Sequence, residues 1–234
     1  MSAYESLAAY YDALTEDVDY IALADRYERM FQGVARRPEI VLDLACGTGT
    51  LTRLFAQRGY QMIGVDGSAE MLSEAAEKTE GGEILYLHQS LTELDLYGTV
   101  DAVISSLDSL NYLPPEDVTE TLRRVFLFLA PGGVFAFDAH TPEKLMGLDG
   151  ELFCDERDNL VCLWRCSFDE GERACYYEFD LFERTGDLWR RSRETHVQYA
   201  YTAEEIQTRL EQAGFTNITM QTEGERMFFR AERR

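Results

Sequence analysis

The 234-residue sequence predicts an α/β protein: a doubly wound, mainly parallel sheet carrying an inserted antiparallel β subdomain. Three observations point there. Between residues 38 and 140, short and nearly continuous apolar runs alternate with helical patterns, which is how strands covered on both faces read. From about 150 to 201 the pattern changes to strict apolar–polar alternation. A helical pattern and two strand patterns then return, so the insertion at 150–201 interrupts one enlarged domain whose core is 1–149 and 202–234.

The core strands are expected at Ile40–Ala45, Gln61–Asp66, Glu83–His88, Val100–Ser105 and Val134–Asp138. Thr50–Arg58 places Leu51, Leu54 and Phe55 on one helical face and stops at Gly59. Ser68–Thr79 opens on an N-capping serine and aligns Met71, Leu72, Ala75 and Ala76. Pro115 suits the first turn of a helix running to Ala130, with Val118, Leu122, Val125, Phe126 and Leu129 at helical spacing. In the insertion, Leu160, Cys162, Trp164, Cys166 and Phe168 share a face, as do Cys175, Tyr177, Phe179 and Leu181. Turn signals at Asp169–Glu172 and Thr185–Asp187 separate three such runs. Thr202-Ala-Glu-Glu205 is a capping box opening a helix with Ile206, Leu210 and Ala213 inward and Gly214 as its stop; strands near 217–222 and 226–231 complete the sheet.

Composition excludes several functions. Acidic residues number 43 and basic residues 22, and a net charge of −21 repels polyanions, so neither nucleic acid nor an anionic membrane is an expected partner. The longest relevant apolar run, Val125–Ala130, is too short to span a bilayer, which needs about 18 residues. The opening MSAYESLAAYYDALTEDVDY lacks both a basic n-region and an apolar h-region. With five cysteines and no CxxC pair, reduced thiols and a cytoplasmic location are expected. His88, His140 and His196 are scattered, and no G-x-S-x-G elbow or HExxH pair occurs. Asp138 and His140 lack an evident third ligand, so no metal is expected.

The sharpest local signal is Val41-Leu-Asp-Leu-Ala-Cys-Gly-Thr-Gly-Thr-Leu51, a strand running into a Gly-x-Gly turn and then a helix. Glycine at 47 and 49 permits positive φ and lets the backbone lie against a ligand at the carboxyl edge of the sheet. A dinucleotide site wants a third glycine where this chain has Thr52, which disfavours pyrophosphate. Asp66 closes the second strand within Gly64-Val-Asp-Gly-Ser68, where a carboxylate can accept both hydroxyl protons of a ribose. The expected ligand therefore contains an adenosine-like sugar.

These segments, with DAVISSLDSLNYL and LAPGG, resemble the motifs of class I S-adenosylmethionine-dependent methyltransferases. The opening YESLAAYYDAL and closing YTAEEIQTRLEQAGF are similar to the ends of small bacterial members acting on small molecules. The resemblance implies a Rossmann-like core of seven strands, the last antiparallel, with S-adenosylmethionine over Gly47 and Gly49 and its ribose on Asp66. It further implies that Asp43 orders the loop and the methionine ammonium, that Met71 lies against the adenine, and that the Tyr11 region covers the donor. Ala45, Gly67 and Leu107 complete the expected donor-binding set. Where the family often has an acidic residue for the adenine amino group, this chain has His88-Gln89-Ser90-Leu91, so Gln89 or a backbone group at Ser90 and Leu91 would have to read the ring.

Methyl transfer from a sulfonium is an in-line displacement with an activated donor, so holding the acceptor at near-attack distance and excluding water supply most of the catalysis. The product would be S-adenosylhomocysteine. Candidate catalytic residues are Tyr11, Asn111 and Tyr112, with Tyr10 and Asp108 beside them and His140 as an acceptor-side base. The aromatic insertion (Trp164, Tyr176, Tyr177, Phe179, Trp189) either roofs the pocket or forms a dimer face, and Arg190, Arg191 and Arg193 are either solvated or bind an anionic group. The expected activity is methylation of N, O or C of a small-molecule acceptor by a monomer or homodimer. A donor-binding protein without turnover and an RNA-modifying enzyme are the competing readings.

Overall fold

The computed structural model describes residues 7–34, 36–79, 81 and 84–234. Its helices are α1 (Tyr11–Leu14), α2 (Tyr20–Met30), α3 (Thr50–Gln57), α4 (Ala69–Glu77), α5 (Pro115–Phe128), α6 (Pro142–Gly147) and α7 (Ala203–Ala213). The strands are β1 (Ile40–Leu44), β2 (Gln61–Asp66), β3 (Leu85–His88), β4 (Val100–Ser105), β5 (Leu129–His140), β6 (Leu152–Arg157), β7 (Leu160–Asp169), β8 (Ala174–Thr185), β9 (Leu188–Tyr199), β10 (Thr216–Glu223) and β11 (Arg226–Glu232).

The seven-stranded sheet has the order β10-β11-β5-β4-β1-β2-β3. Strands β1 to β5 are parallel to one another, whereas β11 is antiparallel to β5 and to β10. Both faces are covered. Leu42, Val103, Phe135 and Phe137 pack in a cluster with residues of α5 and α7, and Val41, Ile104 and Ala136 pack in another with Phe55 of α3 and Tyr27 of α2. This explains the nearly continuous apolar reading of the strands, since each neighbouring residue is buried on one side or the other. The chain order reverses between β1 and β4, so the loops after both strands open a crevice at one carboxyl edge.

A separate antiparallel sheet, β6-β7-β8-β9, follows α6. Its register sets Cys162 beside Leu181, Trp164 beside Phe179, Cys166 beside Tyr177 and Phe168 beside Cys175. The two apolar rows predicted for β7 and β8 therefore lie on a single face.

The structure includes elements that were not expected from the sequence, among them α2, α6 and β6. Helix α2 sets Tyr20, Leu23, Ala24, Tyr27 and Met30 along one face against the core, a stripe at helical spacing, and is capped by Asp19, whose side chain accepts the Ala22 amide at 2.9 Å. Strand β6 has no fully buried residue, so it carries no apolar alternation to read. Helix α5 stops at Phe128, not Ala130, and β5 begins at Leu129, not Val134. Pro131 disfavours helical backbone in the residue before it, and Leu129 is already extended. Glu83, expected to open the third strand, and Tyr4 to Ser6 of the opening motif lie outside the described residues.

Candidate active site

Two cavities meet at the crevice. The first, of about 510 Å³, is lined by Ala45 and Gly47 after β1, by Asp66 at the end of β2 with Gly67 after it, by Met71 of α4, and by Ser90, Leu91 and Leu107 from the segments after β3 and β4. The second, of about 350 Å³, lies between the loop after β4, the first turn-rich segment around Tyr11 and the inner face of the four-stranded sheet. Tyr11, Leu107 and Tyr112 line both.

The wall of the first cavity is shaped by unusual backbone. Ala45, Gly47 and Gly49 all have positive φ, at 61°, 54° and 72°. A β-carbon on Gly47 would meet nothing within 4 Å, leaving that peptide bare toward the cavity. Gly49 is different: it lines neither cavity, and a β-carbon there would sit 2.5 Å from Tyr86 Oη. Its bareness accommodates Tyr86.

Asp66 braces this loop. Its Oδ2 accepts the Gly47 amide and its Oδ1 the Ser68 amide, each at 2.8 Å. Burial raises its carboxyl, an effect opposed by the amides of Ser68, Gly47 and Gly67. A carboxylate has about four acceptor sites, so these three amides leave about one for a hydroxyl donor. Asp43 is 1% exposed and lies behind the loop; its Oδ2 accepts the Thr52 hydroxyl at 2.6 Å, while its Oδ1 is buried without a partner. Burial pushes its carboxyl up to about 7.

Other expected residues separate into two groups. Met71, 2% exposed, sits in the first cavity wall with Ser90 and Leu91. Gln89 turns away: its side chain pairs with the backbone of Asp95 through two bonds of 3.0 Å and lines neither cavity. Asn111, expected on the acceptor side, is fully buried, donates to Tyr199 O and accepts the His140 amide, both at 2.9 Å, and also lines neither cavity. It docks the segment after β4 onto β9 and β5. Arg191, Arg193 and Arg165 surround Asp180 and hold its carboxyl down to about 2 against partial burial, while Arg190 pairs with Glu183. The basic run is engaged by these acids and faces neither cavity.

The second cavity contains groups that sequence spacing could not bring together. Trp164, Phe179 and Tyr177 form a stacked ladder, with ring centroids 6.1 and 6.4 Å apart. Asp108 Oδ1 receives Arg226 at 3.0 Å and His140 Nε2 at 3.2 Å, and Oδ2 accepts Gln198 Nε2 at 2.6 Å. Burial lowers the His140 pKa, outweighing the attraction of Asp108, so its ring is neutral at pH 7. His196 Nε2 lies 3.1 Å from Glu194, whose other oxygen accepts the Leu7 amide. Burial holds the Tyr11 phenol well above its usual range, so it stays protonated. The segment around α1 is fastened on both sides: Asp12 bonds Thr48 and Lys78 of the core, and Arg157 of β6 reaches Ala13 O.

A methyltransferase-domain family model matches residues 41–133. "Putative methyltransferase YqeM" of Bacillus subtilis (strain 168) is 31% identical over 243 residues, covering 98% of this chain and 97% of that protein. The chain belongs to the class I S-adenosylmethionine-dependent methyltransferases. A solved S-adenosylmethionine-dependent methyltransferase from Clostridium acetobutylicum ATCC 824 superposes with a TM-score of 0.85 at 28% identity, covering 99% of each chain. The sugar N-methyltransferase KedS8 from Streptoalloteichus sp. ATCC 53650 shares the fold, with a TM-score of 0.86 at 22% identity over 100% of this chain and 97% of its own. For a member of this family, a bare Gly47 peptide and the remaining acceptor capacity on Asp66 fit a hydroxyl-bearing donor. Among the described residues, no helix is long and apolar enough to cross a membrane.

Proposed function

We propose that the first cavity holds S-adenosylmethionine and that the second holds a small acceptor, to which the enzyme transfers the methyl group. The observation that carries this reading is the junction of the two cavities at Tyr11, Leu107 and Tyr112. There an acceptor lone pair can attack the methyl carbon while the carbon–sulfur bond breaks, its electron pair passing to sulfur to give S-adenosylhomocysteine. In this reading Ala45, Gly47, Asp66, Gly67, Met71, Ser90, Leu91 and Leu107 surround the donor, Asp43 supports the loop from behind, and Tyr11 and Tyr112 close the reaction centre. The segment 150–201 is the roof of the acceptor chamber, since Trp164, Tyr177, Phe179, His196 and Gln198 all line it.

Charge narrows the acceptor. Asp108 and Arg226 pair on the chamber wall, with Asp138 buried behind them and His140 neutral, so the wall carries no excess of positive charge. With an aromatic ladder opposite, this favours an amine acceptor, which attacks from its neutral form after any proton it carries has passed to solvent, with nitrogen as the atom methylated. The test is transfer of labelled methyl from S-adenosylmethionine to matched panels of small amines, alcohols and carboxylates. Methylated amine products are expected. Turnover confined to carboxylates, or a salt-sensitive complex with tRNA serving as the methyl acceptor, would overturn this assignment.

A further inference from the structure

Leu107 and Asp108, directly after β4, form two consecutive left-handed residues, with φ of 54° and 57°, and neither is glycine. Left-handed backbone is unfavourable for leucine, so something must hold it. Asp138 does so: Oδ1 accepts the Leu107 amide at 3.0 Å and Oδ2 the Asp108 amide at 3.1 Å. Asp138 is itself 1% exposed, and its remaining partners are the Tyr27 hydroxyl, at 2.5 Å from Oδ1, and Arg226, on Oδ2. Arg226 also grips the Asp108 side chain at 3.0 Å, so one guanidinium from the last strand clamps both the turn and the carboxylate that holds it. Burial opposes the Arg226 charge, but the two carboxylates outweigh it and keep the group above its usual range.

The turn is also a partition. Ser106 and Leu107 face the first cavity, and Leu107 and Asp108 face the second. We infer that Arg226 and Asp138 are positioning residues for methyl transfer, holding a strained turn that forms the wall and the passage between donor and acceptor. The inference rests on the first cavity being the donor site. Without Arg226, two buried carboxylates would face each other uncompensated, and the turn would relax away from its left-handed conformation.

The test is calorimetric titration of S-adenosylhomocysteine into the wild type, Arg226→Met, Arg226→Gln and the double variant Arg226→Met/Leu107→Asn, with thermal midpoints measured in parallel. Asparagine tolerates left-handed backbone better than leucine, so it should let the turn persist with less help. Arg226→Met and Arg226→Gln are expected to bind at least about tenfold more weakly, and the double variant to regain most of that affinity. Arg226→Gln is the variant read if the methionine form does not fold. A folded Arg226 variant that binds within twofold of wild type, or a double variant with no recovery, would reduce Arg226 to a fastener of β11 and overturn the inference. Failure of the wild type to bind would instead sink the donor-site reading itself.

Discussion

The Asp66 carboxylate accepts the Gly47 amide at 2.8 Å, so the residue proposed to hold the ribose also fixes the loop beneath the proposed donor site. The two tasks are coupled through one oxygen pair. Asp66→Asn replaces one of those oxygens with a donor group that repels an amide N–H. Losing a charge-assisted bond costs about 1.5–3 kcal/mol, which predicts roughly ten- to hundredfold weaker binding of S-adenosylhomocysteine by calorimetry. Unchanged affinity would remove Asp66 from the donor site.

Gly49 makes a separate prediction, because its constraint is Tyr86. Gly49→Ala places a methyl group 2.5 Å from Tyr86 Oη at a φ of 72°, and should destabilise the fold by about 1–3 kcal/mol in urea unfolding. Adding Tyr86→Phe removes that oxygen and should recover part of the loss. Additive losses in the double variant would show that the two side chains do not compete for the same space.

Asn111 should behave as a structural residue. Asn111→Ala leaves the Tyr199 carbonyl and the His140 amide unpartnered in the interior, at a cost of roughly 2 kcal/mol or more. Urea unfolding should register this loss, while the affinity of the folded variant for S-adenosylhomocysteine stays near wild type. A stable variant with lost methyl transfer would return Asn111 to the reaction centre.

Asp43 links stability to pH. Its carboxyl is raised by burial to about 7, against about 3.9 in an unfolded chain, so the native state binds this proton more tightly. The resulting stabilisation is fully present below about pH 4 and is lost as pH rises through about 7. Asp43→Asn has no such proton, so the thermal midpoint of the wild type relative to the variant should fall between about pH 5 and pH 8. A flat or rising difference would mean that the Asp43 carboxyl is not raised.

Local signals carried much of the fold. The capping box at Thr202 and Glu205, the serine cap at Ser68 and the runs of β2 and β4 are each set by neighbours a few residues away, and all form as expected. Strand β6 had no such signature, being an edge strand with no fully buried residue, whereas α2 carried one that went unread: Tyr20, Leu23, Ala24, Tyr27 and Met30 recur at helical spacing. The site divided in the same way. Gly47, Asp66 and Met71 were legible because the turn and the strand ends that place them are contiguous in sequence. Gln89 and Asn111 were not, because a side chain's direction depends on which backbone groups happen to need a partner, here Asp95, Tyr199 and His140.

By itself, then, the sequence determined the alternation of strands and helices, the bare loop after β1 and the acid at the end of β2, all products of short-range periodicity and backbone permissiveness. Only the tertiary structure decided that Arg226 from the final strand meets Asp108 and Asp138, and that Trp164, Phe179 and His196 face the same chamber as Tyr11. Those meetings depend on strand order and on how the second sheet lies over the first, which arise from burial of faces across the whole chain, beyond the reach of any local pattern.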